Sequence, residues 1–137
     1  MIVAVDTNVL VSGVFFGGIP GRVVAAAELG TFTLALSPAI LDELRQVFSR
    51  AKFGLDPNAV QLLMADIEST ALIVDPQKRH QVVAGDKDDD AVVDCAVEAK
   101  ATYIVSGDAH LTSLGTVEGI TVLTPRQFVD LLGLPSA

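Results

Sequence analysis

The sequence predicts an α/β fold: one domain over residues 1–137, with a central parallel β-sheet flanked by helices on both faces. Three observations predict it. Short apolar runs alternate with segments of helical composition, the order that builds parallel sheets through helical crossovers. The strand-like runs are continuously apolar and do not alternate apolar with polar, which marks strands covered on both faces. The 137 residues show no repeat, linker or shift in composition, and a chain of that length buries enough surface to hold one core without staples.

MIVAV reads as a buried strand ending in a turn at Asp6-Thr7-Asn8. FFGGIPG reads as a loop, and RVVAAAELG after it as a helix with Gly30 at its C-terminal cap. TFTLAL is the second strand. Ser37-Pro38 opens the next helix, serine as cap and proline in the first turn, and Ile40, Leu41, Leu44, Val47 and Phe48 mark its buried face. Glu43 rides on this helix. Asp56-Pro57 repeats the cap chemistry ahead of NAVQLLMADIEST, and TALIV supplies a short strand before the polar DPQKRHQ. Asp86, Asp88, Asp89 and Asp90 then crowd ahead of a helical pattern from Asp90 to Lys100, in which Val92, Val93, Ala96 and Val97 share one side. ATYIVS is a strand ending at Gly107-Asp108, and ITVL is the last strand. Thr124-Pro125-Arg126-Gln127 is a capping box leading to the inward-facing Phe128, Leu131 and Leu132.

Composition narrows the function classes. The single cysteine, Cys95, lies inside an apolar helical pattern and reads as a small buried hydrophobe, not a catalytic thiolate. Seventeen acids against nine Lys and Arg give a net charge of −8, the wrong sign for passive coating of a phosphate backbone. An enzyme acting on nucleic acid remains open, because carboxylates that capture divalent cations reverse the local sign of their site. The N-terminal MIVAVDTNVLV has no basic region of the signal-peptide kind, and no run approaches the ~18 apolar residues of a membrane helix. The expectation is a soluble, cytoplasmic protein with no membrane partner.

In open parallel sheets ligands bind beyond the carboxyl ends of the strands. Asp6 and Asp108 each directly follow a strand, so this geometry brings them to one edge. Each residue also has a plain structural alternative: Asp6 and Asp108 as turn residues capping local backbone, Glu43 as a solvated helix residue, Asp88 or Asp89 as helix caps or dipole partners. Competing motifs fail on particular positions. A calcium loop starting at Asp86 has Ala91 where the turn needs Gly and Val97 where a bidentate Glu is needed. An aspartyl-phosphate enzyme with Asp6 as nucleophile needs an acid two residues later, where Asn8 stands. No GxxxxGK[ST] or GxGxxG loop is present. His80 and His110 are too few and too scattered for zinc and read as loop or surface residues.

These residues resemble the PIN-domain ribonucleases, and more narrowly the VapC-like toxins of toxin–antitoxin pairs. VDTNVLVSG is similar to that family's first-strand motif and LSPAILDELRQV to its second acidic helix. DKDDDAVVDCAVEAKATYIVSGDAHL resembles its third and fourth acidic positions, and ITVLTPRQFVDLL its closing strand and helix. The resemblance implies a single PIN-like domain with catalytic, metal-holding acids at Asp6, Glu43, Asp90 and Asp108. Asp88 or Asp89 replaces Asp90 if the helix starts a residue or two from where the pattern puts it. Asn8 and Ser106 match the polar positions that support the metal site. The resemblance also implies a homodimer, a cognate antitoxin protein that covers the acidic groove, and RNA products with a 5′-phosphate and a 3′-hydroxyl.

Four clustered carboxylates raise one another's pKa unless a cation compensates them, and an all-oxygen set suits Mg²⁺ or Mn²⁺. With the RNA substrate that the resemblance implies, the function expected is metal-assisted hydrolysis of an RNA phosphodiester. Arg45, Arg50, Lys52, Lys78 and Arg79 are candidates for holding substrate phosphates, with surface solubility as their alternative role. Two other functions compete: a housekeeping or flap-type nuclease, and a non-catalytic scaffold that binds RNA or a partner.

Overall fold

The computed structural model describes residues 1–80 and 87–133, with the backbone alone at 87 and 88. Strand β1 (Ile2–Val5) is followed without a loop by helix α1 (Thr7–Phe16), then α2 (Gly18–Glu28) and β2 (Thr33–Leu36). Helices α3 (Pro38–Phe48) and α4 (Pro57–Thr70) lead to β3 (Leu72–Ile73). Then come α5 (Lys87–Ala99), β4 (Tyr103–Val105), the short α6 (Ala109–Thr112), β5 (Thr116–Val117), β6 (Ile120–Leu123) and α7 (Pro125–Leu131).

The sheet order is β3-β2-β1-β4-β6-β5. Every pairing is parallel except β5 with β6, so the sheet is mostly parallel, with one antiparallel edge strand that the sequence pattern did not announce. The chain steps outward from β1 to β2 to β3, then crosses back through α5 to β4. Right-handed crossovers running in opposite directions place their helices on opposite faces, which is why the central strand is wholly covered: Val3, Ala4 and Val5 are 0% exposed. The buried apolar residues form one continuous cluster. Among the described residues no single helix is long and apolar enough to cross a membrane.

Three local expectations change. Leu131, expected to face inward with Phe128, is 48% exposed. Asp6-Thr7-Asn8 is not an open turn but the cap and first turn of α1, and FFGGIPG is no loop: Phe15 and Phe16 finish α1, while Gly18–Gly21 begin α2. The joint is Gly17, whose φ of 69° and ψ of −135° suit glycine alone. Gly13 permits the tight return of α2 on α1, since a Cβ there would sit 2.6 Å from the Pro20 carbonyl oxygen. The expected caps at Ser37, Asp56 and Thr124 all form, the last as a full capping box with Gln127.

Candidate active site

Register sets the first contact. Val5 pairs with Val105 in the β1–β4 ladder, so the residues one step beyond, Asp6 and Ser106, emerge side by side at the carboxyl edge. This is also the switch point of the topology, where the chain has neighbours on either side of β1 that it reaches in different directions. The fully buried Ser106 donates from Oγ to Asp6 Oδ2 at 2.9 Å and accepts at the same Oγ from the Asp108 backbone N–H at 3.0 Å. One hydroxyl thus ties both strand-end acids together.

Asp6 is 4% exposed and caps α1, its Oδ1 accepting from Asn8 N at 3.4 Å. Asp108 caps α6 through Oδ1, which accepts from His110 N at 2.8 Å. The capping role considered from sequence therefore holds for both acids, and it orients them toward a common space. They line a cavity of about 320 Å³ together with Asn8, Ser12 and Gly107.

Glu43 arrives by a different route. Helix α3 starts at the carboxyl edge, and Glu43, six residues in, lies about 9 Å along its axis. Thr7, 1% exposed and adjacent to Asp6, donates from Oγ1 to Glu43 Oε2 at 3.2 Å. Aromatic packing fixes the two helices: Phe15 of α1 stacks on Phe53 at 4.2 Å and meets Phe48 of α3 edge-on at 5.6 Å.

Helix α5, which carries the expected acid Asp90, leads directly into β4 and so presents its N-terminus at the carboxyl edge. It packs against β1, β2 and β4. The helix begins at Lys87, earlier than the pattern from Asp90 implied, so Asp88 and Asp89 lie within its first turn and are not its cap. Asp86 lies outside the described residues. Asp89 is 3% exposed and shares the inner side of α5 with Val92, Val93 and Ala96, whereas Asp90 is only partly buried.

Asp94 has a defined partner: its Oδ1 faces both the backbone N–H and Nδ1 of His80, each at 2.7 Å. His80 is thus a part-buried anchor of the segment before α5, while His110 is exposed as expected. Cys95 is fully buried, and burial, reinforced by the Asp94 charge, pushes its thiol up to about 12.

The five candidate cations separate. Arg45 pairs with Asp42 at 3.2 Å on an exposed helix face. Arg50 and Lys52 lie past the far end of α3, and Lys52 sits 5.1 Å over the Phe53 ring. Lys78 lines a cavity on the flank of α5 with Glu98 and Lys100. Arg79 alone faces the carboxyl edge, lining a cavity of about 100 Å³ with Ser37, Ala91 and Asp94. Thr7 and Ser12 are contributors that the sequence reading did not single out. Their only signal was proximity to Asp6 within an apolar stretch.

Among the described residues no group of three or more Asp, Glu, His or Cys side chains is placed closely enough to hold a metal ion. Of the expected acids only Asp6 and Asp108 line the shared cavity; Glu43, Asp89 and Asp90 do not. A family model described as PIN domain matches residues 2–110. A search of curated proteins returned no match to the chain.

Proposed function

The chain belongs to the PIN-domain family, a family of nuclease type, and on that premise we propose that it is a metal-dependent endoribonuclease and the toxin half of a toxin–antitoxin pair. The observation that carries the reading is the Ser106 hydroxyl held between Asp6 and Asp108 at the β1–β4 switch point, with Glu43 linked to the same corner through Thr7. The antitoxin partner and the homodimer rest on the motifs VDTNVLVSG and DKDDDAVVDCAVEA and on the resemblance they carry.

The donor chemistry suits a hard divalent cation, although the acids, of which only Asp6 and Asp108 share a cavity, would have to draw closer to hold one. All the donors are oxygens, and Asp6 is buried within an otherwise accessible cavity wall; Mg²⁺ and Mn²⁺ keep several waters and so favour a partial set of carboxylates over an enclosing one. We assign the holding role to Asp6, Glu43 and Asp108, and propose the buried Asp89 in place of the partly buried Asp90. When bound, the cation supplies Lewis acidity and offsets the charge that develops on a phosphodiester under attack by water.

The chain's own groups do the rest. Ser106 fixes the rotamer of Asp6, and Thr7 fixes that of Glu43. The exposed Asn8 offers an amide at the mouth of the cavity, able to donate to a phosphate oxygen or to orient a water. The test is incubation of the purified chain with single-stranded and structured RNA in Mn²⁺ and in EDTA. Cleavage leaving 5′-phosphates is expected in Mn²⁺ alone; equal cleavage in EDTA would refute the metal requirement.

A further inference from the structure

On a chain with net charge −8, a polyanionic strand must be held by the few cations that are placed near the acids and not already engaged. Among the described residues two exposed arginines lie at the carboxyl edge and are not engaged. Arg79 follows β3, is exposed, and lines the cavity beside Ser37 and Ala91 at the carboxyl end of β2. Arg126 is exposed in the first turn of α7, next to Pro125, which lines the cavity of Asp6 and Asp108. Neither has an ion-pair or hydrogen-bond partner among the described residues.

Their places in the sheet order are on opposite sides of the acids. Arg79 lies off β3 and β2, Asp6 off β1, Asp108 off β4 and Arg126 off β6. From β3 to β6 is four strand steps, about 19 Å across the sheet, a length that a few nucleotides of single strand span. Resting on the nuclease reading above, we infer that single-stranded RNA crosses the carboxyl edge at right angles to the strands, with Arg79 and Arg126 gripping backbone phosphates on either side of the cleaved bond. Such a track grips backbone and not bases, so it imposes no sequence preference of its own. Arg126 was read from sequence only as part of a capping box; its second role depends on where α7 begins relative to the acids.

The experiment is fluorescence anisotropy of a 5′-fluorescein single-stranded oligoribonucleotide of mixed sequence, titrated at several salt concentrations with wild type, Arg79→Gln, Arg126→Gln and the double variant. Each single substitution is expected to weaken binding about threefold to tenfold irrespective of sequence. Each should also lower the slope of log affinity against log salt by about 0.7, the single-strand value for one phosphate contact. The double variant should lose both increments, and in cleavage assays KM should rise while kcat holds. Lys100→Gln, at the opposite end of α5, should change neither slope nor KM. Unchanged slopes in both arginine variants, with cleavage by wild type intact, would overturn the track and leave the nuclease reading standing. Wild type that neither binds nor cleaves the strand would overturn both.

Discussion

Ser106 Oγ donates to Asp6 Oδ2 at 2.9 Å, joining residues one hundred positions apart in sequence across the seam between β1 and β4. The same oxygen accepts from Asp108 N, so a single buried hydroxyl sets the spacing of two of the acids.

Ser106→Ala removes a donor from a buried carboxylate and an acceptor from a backbone N–H. The expected cost is about 1–3 kcal/mol in urea unfolding, with cleavage slowed roughly tenfold to a hundredfold because Asp6 loses its orientation. Unchanged stability and rate in that variant would show that the bond does not position the site.

Asp89 and Asp90 are adjacent, yet Asp89 is buried on the inner side of α5 and Asp90 is only partly buried. Asp89→Asn is expected to weaken Mn²⁺ binding and cleavage by about tenfold to a hundredfold or more, and Asp90→Asn by much less. Titration of each variant with Mn²⁺ by electron paramagnetic resonance reads the difference directly. A larger loss in Asp90→Asn would return the role to Asp90.

Cys95 supplies a pH prediction. Its thiol is raised from 9.0 to about 12 by burial and by Asp94, so the folded state holds the proton more tightly than the unfolded state. That contribution to stability is fully present below about pH 9 and is lost as pH rises toward 12, by about 1.4 kcal/mol per pH unit. Compared by chemical denaturation from pH 7 to 11, wild type should lose ground to Cys95→Ala above pH 9. A constant difference would contradict the shift. Native protein at pH 8 should also resist thiol reagents that label the unfolded chain.

Much of this arrangement was legible in the sequence because it depends on local chemistry. Continuous apolar strands announce a covered parallel sheet, and Ser37-Pro38 and Thr124-Pro125 announce helix starts through their caps. Acids placed directly after strands announce a carboxyl-edge site. What was not legible depends on contact. The residues of α1, TNVLVSGVFF, are apolar on nearly every side, so no helical period stands out, although Val9, Leu10 and Val11 are buried and Phe16 is 75% exposed.

The start of α5 was hidden for a related reason, since charged residues from Lys87 to Asp90 carry no apolar period to mark a first turn. The stacking of Phe15 on Phe53 and the Thr7 hydrogen bond to Glu43 join residues far apart in the chain. Strand β5, two residues long, is defined only by its pairing with β6.

Asp6 lies where all these relationships meet: it caps α1, accepts from Ser106 and lines the cavity with Asp108. The most direct measurement is therefore the rate of Mn²⁺-dependent RNA cleavage by Asp6→Asn, with its melting temperature recorded in the same metal. The substitution keeps the shape of the side chain and removes its charge. The expected result is a folded protein whose cleavage falls by at least about a hundredfold and whose melting temperature no longer rises with Mn²⁺ as that of wild type does. Wild-type cleavage by folded Asp6→Asn would contradict the proposed site.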